Sequence, residues 1–280
     1  MIKYLLFDLD GTITDSADGI TNSVSYALGN LGISEEKSNL YRFVGPPLVD
    51  SFKEFYGFDE KKAEEGVRLY REYYAVKGIF ENKVYPGITH LLKKCREQGK
   101  KVILATSKPQ IYAKQILKHF ELAEYFDDIQ GSSMDGSKIH KEDVIQSALS
   151  DNQITDMQEV LMIGDRKHDV LGSGKFGISC VGVLYGYGSR EELETCGAKW
   201  IVDTVEDSKL FWSVSERGRK CRIKQKKRKA ADQRFWRMTG FTLASEPLRR
   251  SLWKKAYRSC LPGIWSGCVT ALHFSELTRA

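Results

Sequence analysis

Lys3-Tyr4-Leu5-Leu6-Phe7-Asp8-Leu9-Asp10-Gly11-Thr12 is the stretch on which the fold turns. An apolar run with no helical spacing, closed by Asp and Gly, predicts a buried β-strand over Lys3–Leu9 that ends in a turn. Side chains alternate with period 2 in extended chain, so Asp8 and Asp10 project to one side. Two carboxylates held together disfavour each other's ionisation unless a cation compensates. Such a pair suits a hard divalent ion such as Mg²⁺, or a nucleophile beside an acid/base. Gly11 lets the chain turn away, and the bland alternative is an ordinary Asp-Gly turn at the surface.

Further along, the same arrangement of apolar run, then chemistry, then amphipathic helix recurs. Strands are predicted at Lys101–Ala105, Val160–Ile163 and Ser179–Leu184, with weaker ones at Phe126–Ile129 and Trp200–Val202. Helices are predicted at Ile88–Gln98, Gln110–Phe120, Lys141–Ser150, Asp169–Phe176 and Arg190–Cys196. Apolar strands alternating with helices imply an α/β protein with a Rossmann-like parallel sheet covered on both faces. Ligands of such sheets sit outside the carboxyl ends of the strands. There the sequence places Asp8 and Asp10, Thr106 and Ser107 ahead of Pro109, and Gly164-Asp165 with Asp169 four residues on. Thr106 and Ser107 offer hydroxyls and amides at a presumed helix N-terminus, which suits phosphate or simply caps the helix. Lys138 and Lys141 are two candidates to neutralise a phosphoryl group. His168 reads as a helix-surface residue.

Between Asp15 and Phe80 no strand is evident. Apolar residues recur there at helical spacing, and Pro46-Pro47 suits a helix start. Core segments 1–14 and 81–211 are therefore expected around a helical domain of residues 15–80.

Composition narrows the function further. The formal net charge is +6, but residues 208–280 hold 18 Lys+Arg and 4 Asp+Glu, against 25 and 33 in residues 1–207. An acidic body carries a basic extension. No apolar run approaches the ~18 residues of a membrane span, and the N-terminal apolar run is too short for a secretion signal, so a cytoplasmic protein is expected. The six cysteines show no CxxC spacing and read as incidental thiols.

Taken together, Asp8–Thr12 as DxDGT, Thr106, a Lys, and Gly164–Asp169 as GDxxxD resemble the haloacid dehalogenase superfamily, specifically its phosphatases with a helical cap inserted after the first motif. The resemblance spans about residues 1–207. It implies that Asp8 attacks phosphorus and becomes an aspartyl-phosphate, and that Asp10 protonates the leaving alkoxide and then activates water. It implies that Thr106, Ser107 and Lys141 hold phosphoryl oxygens, and that Asp8, the Asp10 carbonyl and Asp165 bind Mg²⁺. Asp169, Gly11 and Thr12 support the site. Lys141 is preferred over Lys138 because it opens a helix, where the family places that residue. Phe43-Val44-Gly45-Pro46 of the cap is similar to the segment that selects substrate in phosphoglycolate phosphatases. Gly182–Ser189 together with Thr106–Pro109 is similar to the 5′-nucleotidase branch. A small phosphorylated metabolite, a 5′-nucleotide or phosphoglycolate, is the implied substrate, with a sugar phosphomutase as the alternative within the fold. Asp10 argues against a dehalogenase, whose halide leaving group needs no acid.

The extension stands apart. Arg217–Lys229 carries nine Lys+Arg in 13 residues, with Trp236, Trp253 and Trp265 beyond it and no sustained period. Residues 212–280 read first as an aperiodic extension foreign to the family, such as a shifted reading frame appends, then as a disordered tail, then as a nucleic-acid-binding arm. Nucleic acid is therefore not expected as a partner. The competing class, a nucleic-acid-binding protein with a non-catalytic body, is disfavoured by the intact acidic set. A receiver-type phosphoacceptor module is disfavoured by the helical insertion.

Overall fold

The first strand, β1 (Tyr4–Phe7), lies at the middle of a six-stranded sheet because both its faces are apolar: Leu5, Leu6 and Phe7 are fully buried. Each such side chain taken out of water contributes roughly 1.5–3 kcal/mol. A computed structural model describes residues 1–208. After β1 the chain forms β2 (Thr14–Asp15), the helices α1 (Ala17–Asn30), α2 (Lys37–Leu40), α3 (Leu48–Tyr56) and α4 (Glu60–Tyr73), and then β3 (Lys83–Val84). The α/β part follows as α5 (Ile88–Glu97), β4 (Lys101–Pro109), α6 (Gln110–His119), β5 (Asp128–Ser132), α7 (Lys141–Asp151) and β6 (Val160–Gly164). It closes with α8 (Lys167–Gly174), β7 (Ser179–Val183), α9 (Arg190–Thr195), β8 (Trp200–Val202) and α10 (Val205–Ser208).

The sheet order is β5-β4-β1-β6-β7-β8, every pairing is parallel, and helices cover both faces. On one face Leu6, Ile103 and Met162 meet Val144, Ile145 and Ala148 of α7. From β1 the chain reaches β4 on one side and β6 on the other, so the topological switch point lies beyond the end of β1, where such sheets bind ligands. Register sharpens this. Phe7 pairs with Leu104 and with Ile163, so Asp8, Thr106 and Asp165 all emerge within two residues of the same level.

Three departures from the sequence expectation have physical causes. The strand expected at Phe126–Ile129 lies instead at Asp128–Ser132, a half-polar edge strand held by backbone pairing to β4 more than by apolar burial. Thr106–Pro109 belongs to β4 and not to a helix start: the residue before proline favours extended backbone, and α6 begins only at Gln110. The segment expected to lack strands begins with β2, which pairs antiparallel with β3 to form a two-residue ribbon at both ends of the helical insertion. Two residues are too few to show a period.

Among the described residues no helix is long and apolar enough to cross a membrane. Cys95 and Cys180 are buried free thiols and Cys196 is half-buried and free. The expectations for residues 212–280, including the basic run Arg217–Lys229, lie outside the described residues.

Candidate active site

Directly after β1 the chain folds into a tight loop. The amides of Ile13 and Thr14 both donate to the Leu9 carbonyl, and the Gly11 amide donates to that of Thr14. Gly11 has φ +81° and lies so close to Asp165 that a Cβ would sit 2.1 Å from a carboxylate oxygen. Only glycine meets both conditions. Gly164, at the end of β6, leaves room for Asp169 in the same way, since a Cβ there would fall 2.2 Å from the Asp169 carboxyl carbon. Asp169 lies in the first turn of α8, its carboxylate accepting from the Arg166 amide.

These loops bring Asp8, Asp165 and Asp169 together, all buried, with one carboxylate oxygen of each lying within 4.8 Å of the others. One cation stands among them. The Lys141 ammonium is 2.7 Å from Asp8 Oδ1, 2.8 Å from Asp169 Oδ1 and donates to the Ala105 carbonyl at 3.0 Å. Burial alone would push the Lys141 ammonium down, but Asp169 and Asp8 outweigh it and the net shift is upward. Lys138 donates instead to Gln130 Oε1 at 3.2 Å, away from the carboxylates. Burial, then Asp169 and Asp8, push the Asp165 carboxyl well above the usual range, and burial raises Asp169 to about 6 despite Lys141.

Among the described residues, three buried carboxylates meet one buried ammonium, which leaves negative charge uncompensated. Asp165 Oδ2 accepts from the Tyr187 amide at 2.8 Å, whereas its Oδ1 is buried with no hydrogen-bond partner among the described residues. An all-oxygen donor set with an unsatisfied buried oxygen fits a hard divalent cation.

The other expected residues take distinct places. Asp10 is 7% exposed, and its carboxylate turns from this cluster to Lys108, 2.9 Å from Oδ2. Thr106 is buried, its hydroxyl accepting from the Lys108 amide. Thr12 is fully buried, and its carbonyl accepts from the Tyr185 hydroxyl. Ser107 lines a cavity of about 630 Å³ that also contacts Asp10. Phe43, Gly45 and Pro46 line the same cavity from the helical side, while the Val44 side chain is buried and its carbonyl accepts from Arg166 at 2.6 Å. Tyr70, Tyr74 and Tyr112 add an aromatic wall. His168 is half-buried, and burial lowers its imidazole.

Sequence reasoning passed over three neighbours of these groups. Lys108 was in view within Thr106–Pro109 but carried no role. Tyr74 read only as part of an apolar helical stripe. Tyr187 holds Asp165 with its amide and Asp15 with its hydroxyl, at 2.7 Å. Its only sequence signal was its place among the glycines of Gly186-Tyr187-Gly188.

This geometry has relatives. A family model described as haloacid dehalogenase-like hydrolase matches residues 5–183. A 5′-nucleotidase from Pseudomonas aeruginosa is 47% identical over 190 residues, 68% of this chain and 86% of that one. The tyrosine-protein kinase PtkA of Mycobacterium tuberculosis is 39% identical over 194 residues, 69% of this chain and 65% of that one. A phosphoglycolate phosphatase from Vibrio parahaemolyticus is 27% identical over 215 residues, 74% and 94% of the two chains. Among solved structures, that of a predicted phosphatase from Clostridium acetobutylicum superimposes with a TM-score of 0.73 at 50% identity, covering 74% of this chain and 96% of its own. The chain belongs to the haloacid dehalogenase-like hydrolases, and within them to the phosphatases.

Proposed function

We propose that this phosphatase is a Mg²⁺-dependent phosphomonoesterase that works through an aspartyl-phosphate on Asp8, with a 5′-nucleotide as its preferred substrate and phosphoglycolate as the smaller alternative. The observation that carries the reading is the meeting of Asp8, Asp165, Asp169 and Lys141 at the sheet's switch point, beside the 630 Å³ cavity. Residues 15–80 act as the cap over a core of residues 1–14 and 81–211.

In this mechanism the Asp8 carboxylate attacks phosphorus as the phosphorus–oxygen bond of the ester breaks. Asp10 gives a proton to the departing alkoxide. It then takes one from the water that attacks the aspartyl-phosphate, which returns Asp8 and releases phosphate. The Thr106 and Ser107 hydroxyls and the Lys141 ammonium hold the equatorial phosphoryl oxygens, where charge is spread in the transition state. Asp169 fixes Lys141. Asp8, the Asp10 carbonyl and Asp165 would hold Mg²⁺, which when bound neutralises charge between carboxylate and phosphoryl group.

The cavity supports the choice of substrate. Its volume lies within the range of sites for nucleotide-sized ligands, and the half-buried Tyr112 on its wall offers an aromatic surface suited to a base. The resemblance of the 5′-nucleotidase relative points the same way. The test is a phosphate-release screen over nucleoside 5′-monophosphates, phosphoglycolate and sugar phosphates, with Mg²⁺ and with EDTA. The reading expects release from nucleotides with Mg²⁺ and none with EDTA. Full release in EDTA, or isomerisation of a sugar phosphate without release, would overturn it.

A further inference from the structure

Lys108 is the second buried lysine of the site, and the phosphoryl-transfer steps above do not use it. It is 8% exposed, and its ammonium has two partners, one in the loop after β1 and one in the helical insertion. One is Asp10 Oδ2 at 2.9 Å, in the loop after β1. The other is the Tyr74 hydroxyl, which accepts from Lys108 at 2.7 Å, with the Tyr74 ring centroid 4.7 Å from the same nitrogen. Tyr74 belongs to the helical insertion. It opens a π-helical turn, Tyr74–Gly78, in which the Ile79 amide donates to the Tyr74 carbonyl. Single π-turns of this kind are found at functional positions. Tyr74 is 1% exposed, stacked on Tyr70 of α4 at 5.2 Å and set edge-on to Tyr112 of α6 at 5.3 Å. It therefore stands where the insertion meets the α/β part.

The two oxygens of Asp10 differ. Oδ2 is held by Lys108, while Oδ1 is buried without a hydrogen-bond partner among the described residues. A buried carboxylate oxygen left bare is costly unless a ligand uses it. We propose that Lys108 is a positioning residue for Asp10, held in place by the Tyr74 hydroxyl, so that Asp10 keeps Oδ1 free for proton exchange only while the helical insertion is seated on the site. Movement of the insertion on the β2–β3 ribbon takes Tyr74 away, Lys108 loses one of its two partners, and Asp10 loses its fixed rotamer. Closure and the acid/base group are linked through one ammonium. This rests on the reading of Asp10 as the acid/base of the phosphatase reaction.

The experiment uses the full-length chain with Tyr74→Phe, Lys108→Met and Lys108→Arg. It measures kcat/KM for phosphate monoesters whose leaving groups run from p-nitrophenol to simple alkyl alcohols. An alkoxide needs a proton to leave and p-nitrophenolate does not. Lys108→Met should lower kcat/KM for alkyl esters by about 100-fold, the low end for a misplaced general acid, and by clearly less for p-nitrophenyl phosphate. Tyr74→Phe, which removes one oxygen and keeps the ring packing, should show the same leaving-group dependence at about tenfold. Lys108→Arg should recover most of the loss. An equal loss for every ester, or no loss, would overturn the proposal. Should Lys108→Met not fold, Tyr74→Phe carries the same comparison. Amide hydrogen exchange over residues 70–79 gives a reading independent of turnover: it should quicken in Lys108→Met, and unchanged exchange would also overturn the link. A wild-type chain that hydrolyses none of the esters would sink the phosphatase mechanism instead, leaving the exchange comparison to decide whether Lys108 ties the insertion down.

Discussion

Lys141 shows how much one side chain carries at this site. It is 4% exposed, and three oxygens surround its ammonium, two of them from carboxylates that also approach Asp165. Removing a buried charge partner is far worse than removing a pair, because the remaining charges stay buried and unmatched. Lys141→Met should therefore act twice. Phosphatase turnover should fall by at least about 100-fold, the scale for loss of one preorganised charge at a transition state. In metal-free protein, urea unfolding should show a loss of about 3–5 kcal/mol, since Asp8 and Asp169 are left without their cation. Adding Mg²⁺ should recover a larger share of stability in the variant than in the wild type. Equal responses to Mg²⁺ would show that Lys141 and the divalent ion do not share one charge balance.

Among the elements, the loop from Leu184 to Ser189 ties the carboxylate cluster to the base of the insertion. Tyr187 donates its amide to Asp165, donates its hydroxyl to Asp15 Oδ1 at 2.7 Å and accepts from the Ser16 amide at 2.8 Å. Burial holds the phenol far above its ordinary range, so it keeps its proton and remains a donor. Tyr187→Phe keeps the bond to Asp165 and loses both hydroxyl bonds, leaving Asp15 and the Ser16 amide short of a partner. A loss of about 1–3 kcal/mol is expected in chemical denaturation, and an unchanged midpoint would show that water replaces the hydroxyl. This strap also marks where sequence reasoning stopped. Asp8 and Asp165 were legible because each directly follows an apolar strand, and Asp169 because it falls in the first turn of the helix after the second of them; a parallel sheet gathers those ends. The same logic failed for β5, whose Gln130 and Ser132 are polar and whose edge position asks little of side chains. Lys108 and Tyr74 meet across 34 residues, and Tyr187 and Asp15 across 172. No local period encodes such contacts. They follow only from how the insertion and the last loops close over the sheet.

At the scale of the whole molecule, the acidic part of the chain is also the part that matches the family. The haloacid dehalogenase-like match ends at residue 183, and the Clostridium acetobutylicum structure covers 74% of this chain but 96% of its own. The six-stranded sheet, the insertion and every residue named at the site lie within residues 1–208. The +14 of residues 208–280 accounts for more than the whole formal charge of +6. A chain ending at Phe211 should therefore fold and keep its phosphatase activity within about twofold, with a weaker response of any nonspecific nucleic-acid binding to salt. Loss of folded protein on that truncation, read by circular dichroism and gel filtration, would show that the extension supports the fold. The proposed chemistry turns on one group, the Asp8 carboxylate, and covalent mapping reads it out. Turnover of a nucleoside 5′-monophosphate with Mg²⁺ is quenched in acid, and the peptides are mapped by mass. One phosphoryl group per labelled chain is expected, on Asp8, with neither label nor phosphate release in Asp8→Asn. Phosphate release by Asp8→Asn at the wild-type rate, or a label on any other residue, would contradict it.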